Sequence, residues 1–128
     1  MHNRVELNWV GGTHMFALNI GELRSLQINR DSGPEEIMLA LNDGSWRVDD
    51  LWDILRFGLI GGGMKPQEAD TLVADLFTKY GLLAFKLPAQ AVLAAALAGV
   101  DGDQVGEPEG VEDAPENGSS PSSTETAQ

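Results

Sequence analysis

Leu51-Trp52-Asp53-Ile54-Leu55-Arg56-Phe57-Gly58-Leu59-Ile60-Gly61-Gly62-Gly63 is the stretch whose reading decides the fold. With Val48 ahead of it, Leu51, Trp52, Leu55 and Leu59 recur at helical spacing and form one apolar stripe. Asp49, Asp50, Asp53 and Arg56 fall on the other faces. The early aspartates suit the positive end of the helix dipole. The pattern predicts a central helix over about 48–60. Three glycines follow. The expectation is that Gly61 takes the left-handed cap and that Gly62 and Gly63 form a mobile hinge.

Working outward from this helix, residues 4–20 read as a β-hairpin. Val5, Leu7 and Trp9 alternate with Glu6 and Asn8, as in a half-buried strand. Gly11-Gly12 is taken as the two-residue turn, which sets Trp9 opposite His14, Leu7 opposite Phe16 and Val5 opposite Leu18. The apolar face of the hairpin must then lie on helices. A short helix is expected over 22–29 with Leu23 and Leu26 inward. A second follows Ser32, where Ser32-Gly33-Pro34-Glu35 has capping-box spacing and Ile37, Met38 and Leu41 share a side. Pro66 opens another helix, with Ala69, Leu72, Val73, Leu76, Phe77 and Tyr80 on one face. Residues 82–87 read as an apolar connector, and Pro88 starts a last helix that Gly99 closes.

The fold class is therefore α+β and mostly helical: an N-terminal β-hairpin, then a bundle of about five short helices. The folded domain is placed at residues 1–100. Residues 101–128 hold eight acidic side chains, no Lys or Arg, and only Val105 and Val111 as sizeable apolar groups. That composition predicts a disordered acidic tail. The tail accounts for −8 of the formal net charge of −12.

The acidic balance argues against nucleic-acid binding, which needs a basic surface. The absence of cysteine removes disulfides and thiolate metal sites. No signal peptide and no membrane-spanning run is expected. His2 and His14 lack metal-ligand spacing, and Asp49, Asp50 and Asp53 suit a helix start better than a cation. No nucleophile, acid or base is placed for catalysis, so the expectation is a non-enzyme without cofactor or metal. Trp9 and Trp52 fall on apolar faces, where core packing is expected. Phe77, Tyr80 and Phe85 read equally as core or as a partner patch.

The order of motifs resembles the gene transfer agent family and the related tail assembly chaperones of long phage tails. Residues 56–63 (Arg-Phe-Gly-Leu-Ile-Gly-Gly-Gly) carry the resemblance first. Residues 68–73 and 89–100, the hairpin and the helix start at Gly21-Glu22-Leu23 continue it, over about residues 4–100. Arg47 and Lys65 depart from it, standing where helix-capping Ser or Thr is expected. The resemblance implies a chaperone that binds and solubilises the tape measure protein and helps recruit tail tube subunits. It implies work in the cytoplasm of a bacterial host, from a prophage, phage or gene transfer agent locus, without retention in the mature particle. Self-association is a further partner class, and a structural tail tube component is the alternative function. Phe57, Ile60, Met64 and Phe85 lie off the main stripes and are the candidate partner-binding residues, with filling of gaps between helices as the equal alternative.

Overall fold

A computed structural model describes residues 2–100 of the chain. Its elements are strands β1 (Arg4–Trp9) and β2 (Gly12–Ala17), then helices α1 (Ile20–Arg30), α2 (Pro34–Asp43), α3 (Val48–Gly61) and α4 (Pro66–Lys79). A 3₁₀ turn (Leu82–Phe85) and helix α5 (Lys86–Ala98) complete the order. The expected hairpin and five helices are present. The expected disorder of residues 101–128 lies outside the described residues.

β1 and β2 pair antiparallel, Arg4 with Ala17 through Trp9 with Gly12. The loop is therefore Val10-Gly11, not Gly11-Gly12. Gly12 takes φ 102 while Val10 and Gly11 do not take positive φ, which fits a type I turn closed by a left-handed glycine better than a primed turn. The register moves by two residues from the expected one. A shift of two preserves the side-chain face, so Val5, Leu7, Trp9, Phe16 and Leu18 still share one side. Trp9 and His14 become diagonal neighbours, and the Trp9 indole N–H donates to His14 Nδ1 at 2.9 Å.

α1 starts two residues earlier than expected, and Glu22 accepts the Asn19 amide at 3.1 Å. The cap expected at Ser32 does not form. Gly33 is the N-cap of α2 and offers no side chain, while Pro34 holds the first helical position. α2 stops where Gly44 adopts φ 88. At α3 the Asp50 carboxylate accepts the Arg47 amide at 2.8 Å. This is half of a capping box, since Arg47 has no acceptor to complete it.

α3 is the centre of the fold and packs against β2, α1, α4 and α5. Leu51, Ile54, Leu55, Phe57 and Leu59 are buried. The single-stripe reading is thus too narrow: Val48 is exposed, Trp52 half-buried, and Asp50 and Asp53 are buried. Neighbours on several sides leave little of this helix facing water.

The glycine run is a docking point and a cap. Gly63 has φ 119, the Gly63 amide donates to the Ile60 carbonyl and the Met64 amide to the Leu59 carbonyl, both at 3.0 Å. These two bonds define a Schellman cap centred on Gly63, two residues beyond the expected position. Gly61 and Gly62 meet the backbone of β2. A Cβ at Gly61 would lie 1.8 Å from the Ala17 carbonyl oxygen, and one at Gly62 would lie 2.0 Å from that of Met15. The expected hinge is corrected accordingly: these glycines bring α3 against the strand edge. Asn19 reinforces the junction by donating to the Gly61 carbonyl at 3.4 Å. Buried Asn3 ties the ends of the hairpin, donating to the Leu18 carbonyl at 2.8 Å and to Asn19 Oδ1 at 3.0 Å.

α4 buries Ala69, Val73 and Leu76. α5 begins at Lys86, earlier than Pro88, and buries Ala89, Val92, Leu93 and Ala95. An aromatic ladder joins the elements. Trp52 and Phe77 lie 4.8 Å apart between ring centroids, and Phe77 stacks on Phe85 at 4.1 Å. Phe85 meets Trp9 edge-on at 6.3 Å, and Trp9 meets Phe16 at 5.3 Å.

Candidate functional site

The four candidate partner residues do not form one exposed surface. Phe85 is fully buried in the aromatic ladder, and Phe57 is 8% exposed. The Arg56 guanidinium sits 4.3 Å above the Phe57 ring. Ile60 and Met64 are half-buried and pack against the core. Of the two readings of Phe57 and Phe85, partner contact and gap filling, their burial fits gap filling: in this fold they fill space between elements. The sequence left Phe77, Tyr80 and Phe85 open between core and patch. Phe85 is core, Phe77 half-buried and Tyr80 exposed.

Two strongly exposed leucines stand two residues to either side of Phe85; Ile28 on α1 and Leu39 on α2 are exposed elsewhere. Leu83 is 74% and Leu87 75% exposed. Across from them lie Leu7, Trp9 and Val10 at the end of the hairpin. Together with Ala84, Pro88, Ala91 and Asn8 they line an open groove of about 640 Å³. No lining residue is charged. The groove arises because the apolar run from Leu82 to Leu87 winds helically. Phe85 turns inward to Trp9, and its neighbours must then point out. Sequence reasoning missed Leu83 and Leu87 because so short a segment, apolar at five of its six positions with Lys86 the exception, has no period from which to tell its inner from its outer members. Its length, too great for a connector with one buried side chain, was the available signal.

A second, polar depression lies between α1, α2 and the start of α3. Arg30 donates to Asp50 at 2.7 Å with both side chains only 10% exposed, and lies 3.9 Å from Asp49. This hydrogen bond, with the surrounding carboxylates, raises the Arg30 pKa above its ordinary value. Burial pushes the nearby Asp53 carboxyl above the usual carboxylate range, against the opposing pull of Arg56 and Arg30. Asp50 thus spends one oxygen on Arg30 and the other on the Arg47 amide, which makes the Arg30–Asp50 pair a strut between α1 and α3. Among the described residues no group of three or more His, Asp or Glu side chains could hold a metal ion. No described helix is long and apolar enough to cross a membrane.

The described residues thus form a small hairpin-and-helix domain with one uncharged groove beside Leu83 and Leu87. The comparison with known families then places it: residues 2–99 match the family described as phage tail tube protein, GTA-gp10. The chain belongs to that family, and is thus a protein related to the tails of phages or gene transfer agents. No curated protein and no solved structure matches the chain.

Proposed function

We propose that the chain is a tail assembly chaperone that binds apolar helical segments of the tape measure protein and helps recruit tail tube subunits to them. The observation that carries this reading is the uncharged groove with Leu83 and Leu87 exposed. An amphipathic helix laid along it would cover two leucines that a lone domain leaves in water. On this reading the chain is not an enzyme and needs no cofactor. It acts in the cytoplasm of the bacterial host and leaves before the particle is complete. Phage, prophage and gene transfer agent loci would all supply such a partner.

A structural tail tube component is the second reading, favoured by the description of the matching family. Against it stands the size of the sheet. The described residues contain one two-stranded sheet, a small basis for stacked rings.

Co-expression with tape measure fragments tests the proposal. The wild-type chain should keep them soluble. Leu83→Ser with Leu87→Ser should abolish capture and shift the melting temperature by no more than about 4–8 °C, because each exposed substitution costs within about half a kcal/mol. Phe85→Ser is the contrasting variant, expected to lose the fold itself. If the wild-type chain solubilises no fragment and is instead abundant in purified tails, the tube reading replaces the chaperone one.

A further inference from the structure

The hairpin has two edges, and they are treated differently. The edge of β2 is covered: the Met15 and Ala17 carbonyls face Gly62 and Gly61. Met15 and Ala17 pair with Glu6 and Arg4. Opposed residues of an antiparallel pair aim their backbone groups alike, either at each other or both away. The backbone groups of Arg4, Glu6 and, by alternation, Asn8 therefore point away from β2. Among the described residues none of the three makes a backbone hydrogen bond outside the hairpin. Their side chains are exposed. Helix α5 packs against β1, yet among the described residues the outward backbone groups of Arg4, Glu6 and Asn8 are left without a backbone partner.

Charged side chains often blunt such an edge. A run of one sign would repel any second copy. Here the signs alternate, Arg4 then Glu6 on the same face, with Val5 between them. An antiparallel copy related by a two-fold axis at Val5 sets each Arg4 opposite the other chain's Glu6. The neighbouring register, with Glu6 opposite Glu6, is repelled. Among the described residues Arg4 makes one long contact, 3.4 Å across β2 to the Gly62 carbonyl; the exposed side chain exchanges this single weak bond when it turns to a Glu6 across the outer edge.

We propose that the outer edge of β1 pairs with the same edge of a second copy of this chain, antiparallel about Val5 and held in register by two Arg4–Glu6 ion pairs. The contact is isologous, so it closes as a dimer with a four-stranded sheet. It spans residues 4–6 and leaves the Leu83–Leu87 groove open, so it stands or falls independently of the chaperone reading.

Sedimentation equilibrium of the full chain from about 10 μM to about 1 mM is the test, since a short strand contact gives weak association. The wild type should dimerise. Arg4→Glu and Glu6→Arg should each weaken the dimer about tenfold, because each turns attraction into repulsion at both pairs. The double swap should restore it. Glu6→Gln, which removes attraction without adding a clash, should fall between, and melting curves confirm that each variant is folded. A wild type that stays monomeric to the highest concentration overturns the proposal and makes Arg4 and Glu6 blunting charges. A dimer indifferent to both single swaps also overturns it and moves the contact away from this edge.

Discussion

A methyl group added at Gly61 would have to share space with the Ala17 carbonyl oxygen. Backbone cannot step aside as a side chain can, so Gly61→Ala should destabilise by about 2 kcal/mol or more. Gly21 is the control. Nothing lies within 4 Å of its Cβ position in α1, and Gly21→Ala should be neutral or stabilising by up to about 1 kcal/mol. Thermal melts of the two variants, shifting in opposite directions or one not at all, check the assignment. Asp53 gives a prediction in pH. Its carboxyl is raised in the folded state, so the folded chain holds this proton more tightly than the unfolded one. Ionised Asp53 therefore costs stability at neutral pH, and that cost fades as pH falls through the raised pKa toward the ordinary value. Asp53→Asn should melt higher than wild type at pH 7, and the gap should close below about pH 4. Neither effect was legible in the sequence. A glycine does not announce which carbonyl it approaches, and an aspartate at a helix start reads as a solvated dipole partner until α1 is seen to cover it.

Helix α3 shows what periodicity reveals at the scale of an element. Leu51, Leu55 and Leu59 were readable as its buried stripe because they recur at helical spacing. Ile54 and Phe57 were not, because a helix packed by four elements has more than one inner face. Proline and glycine fixed most helix limits to within two residues: Pro34, Gly44 and Pro66 stand at the ends they signalled. The Schellman cap slipped to Gly63, since three consecutive glycines do not say which of them turns. Leu55→Ala should cost about 2–5 kcal/mol through the cavity it leaves. A loss under half a kcal/mol would remove Leu55 from the core. The strut between α1 and α3 makes a sharper demand. Arg30→Ala strands the buried Asp50 carboxylate and should cost about 3 kcal/mol by denaturant titration. Replacing Arg30 and Asp50 together by apolar residues should recover much of that loss.

At the scale of the whole molecule, the hairpin-plus-helices class followed from alternation giving way to a helical period, and those two signals need no tertiary knowledge. The groove did need it. It exists only where the hairpin end stands across from α5, and the candidates Phe57 and Phe85 were chosen without knowing which side of a short apolar run turns inward. If the chaperone reading holds, purified tails should contain little of this chain relative to their tube subunits, as quantitative mass spectrometry of particles would report. The docking of α3 on β2 has a last consequence, for kinetics. Asn19 and Gly61, which meet at that junction, are 42 residues apart in the chain. Closing so long a loop is paid in entropy before any contact rewards it, and the expected consequence is a junction that forms late in folding. Interactions made after the rate-limiting barrier act on the rate of unfolding. Gly61→Ala should therefore steepen the loss of the native state in stopped-flow unfolding while refolding proceeds at nearly the wild-type rate, making the glycine seam the latch that governs how long the fold lasts.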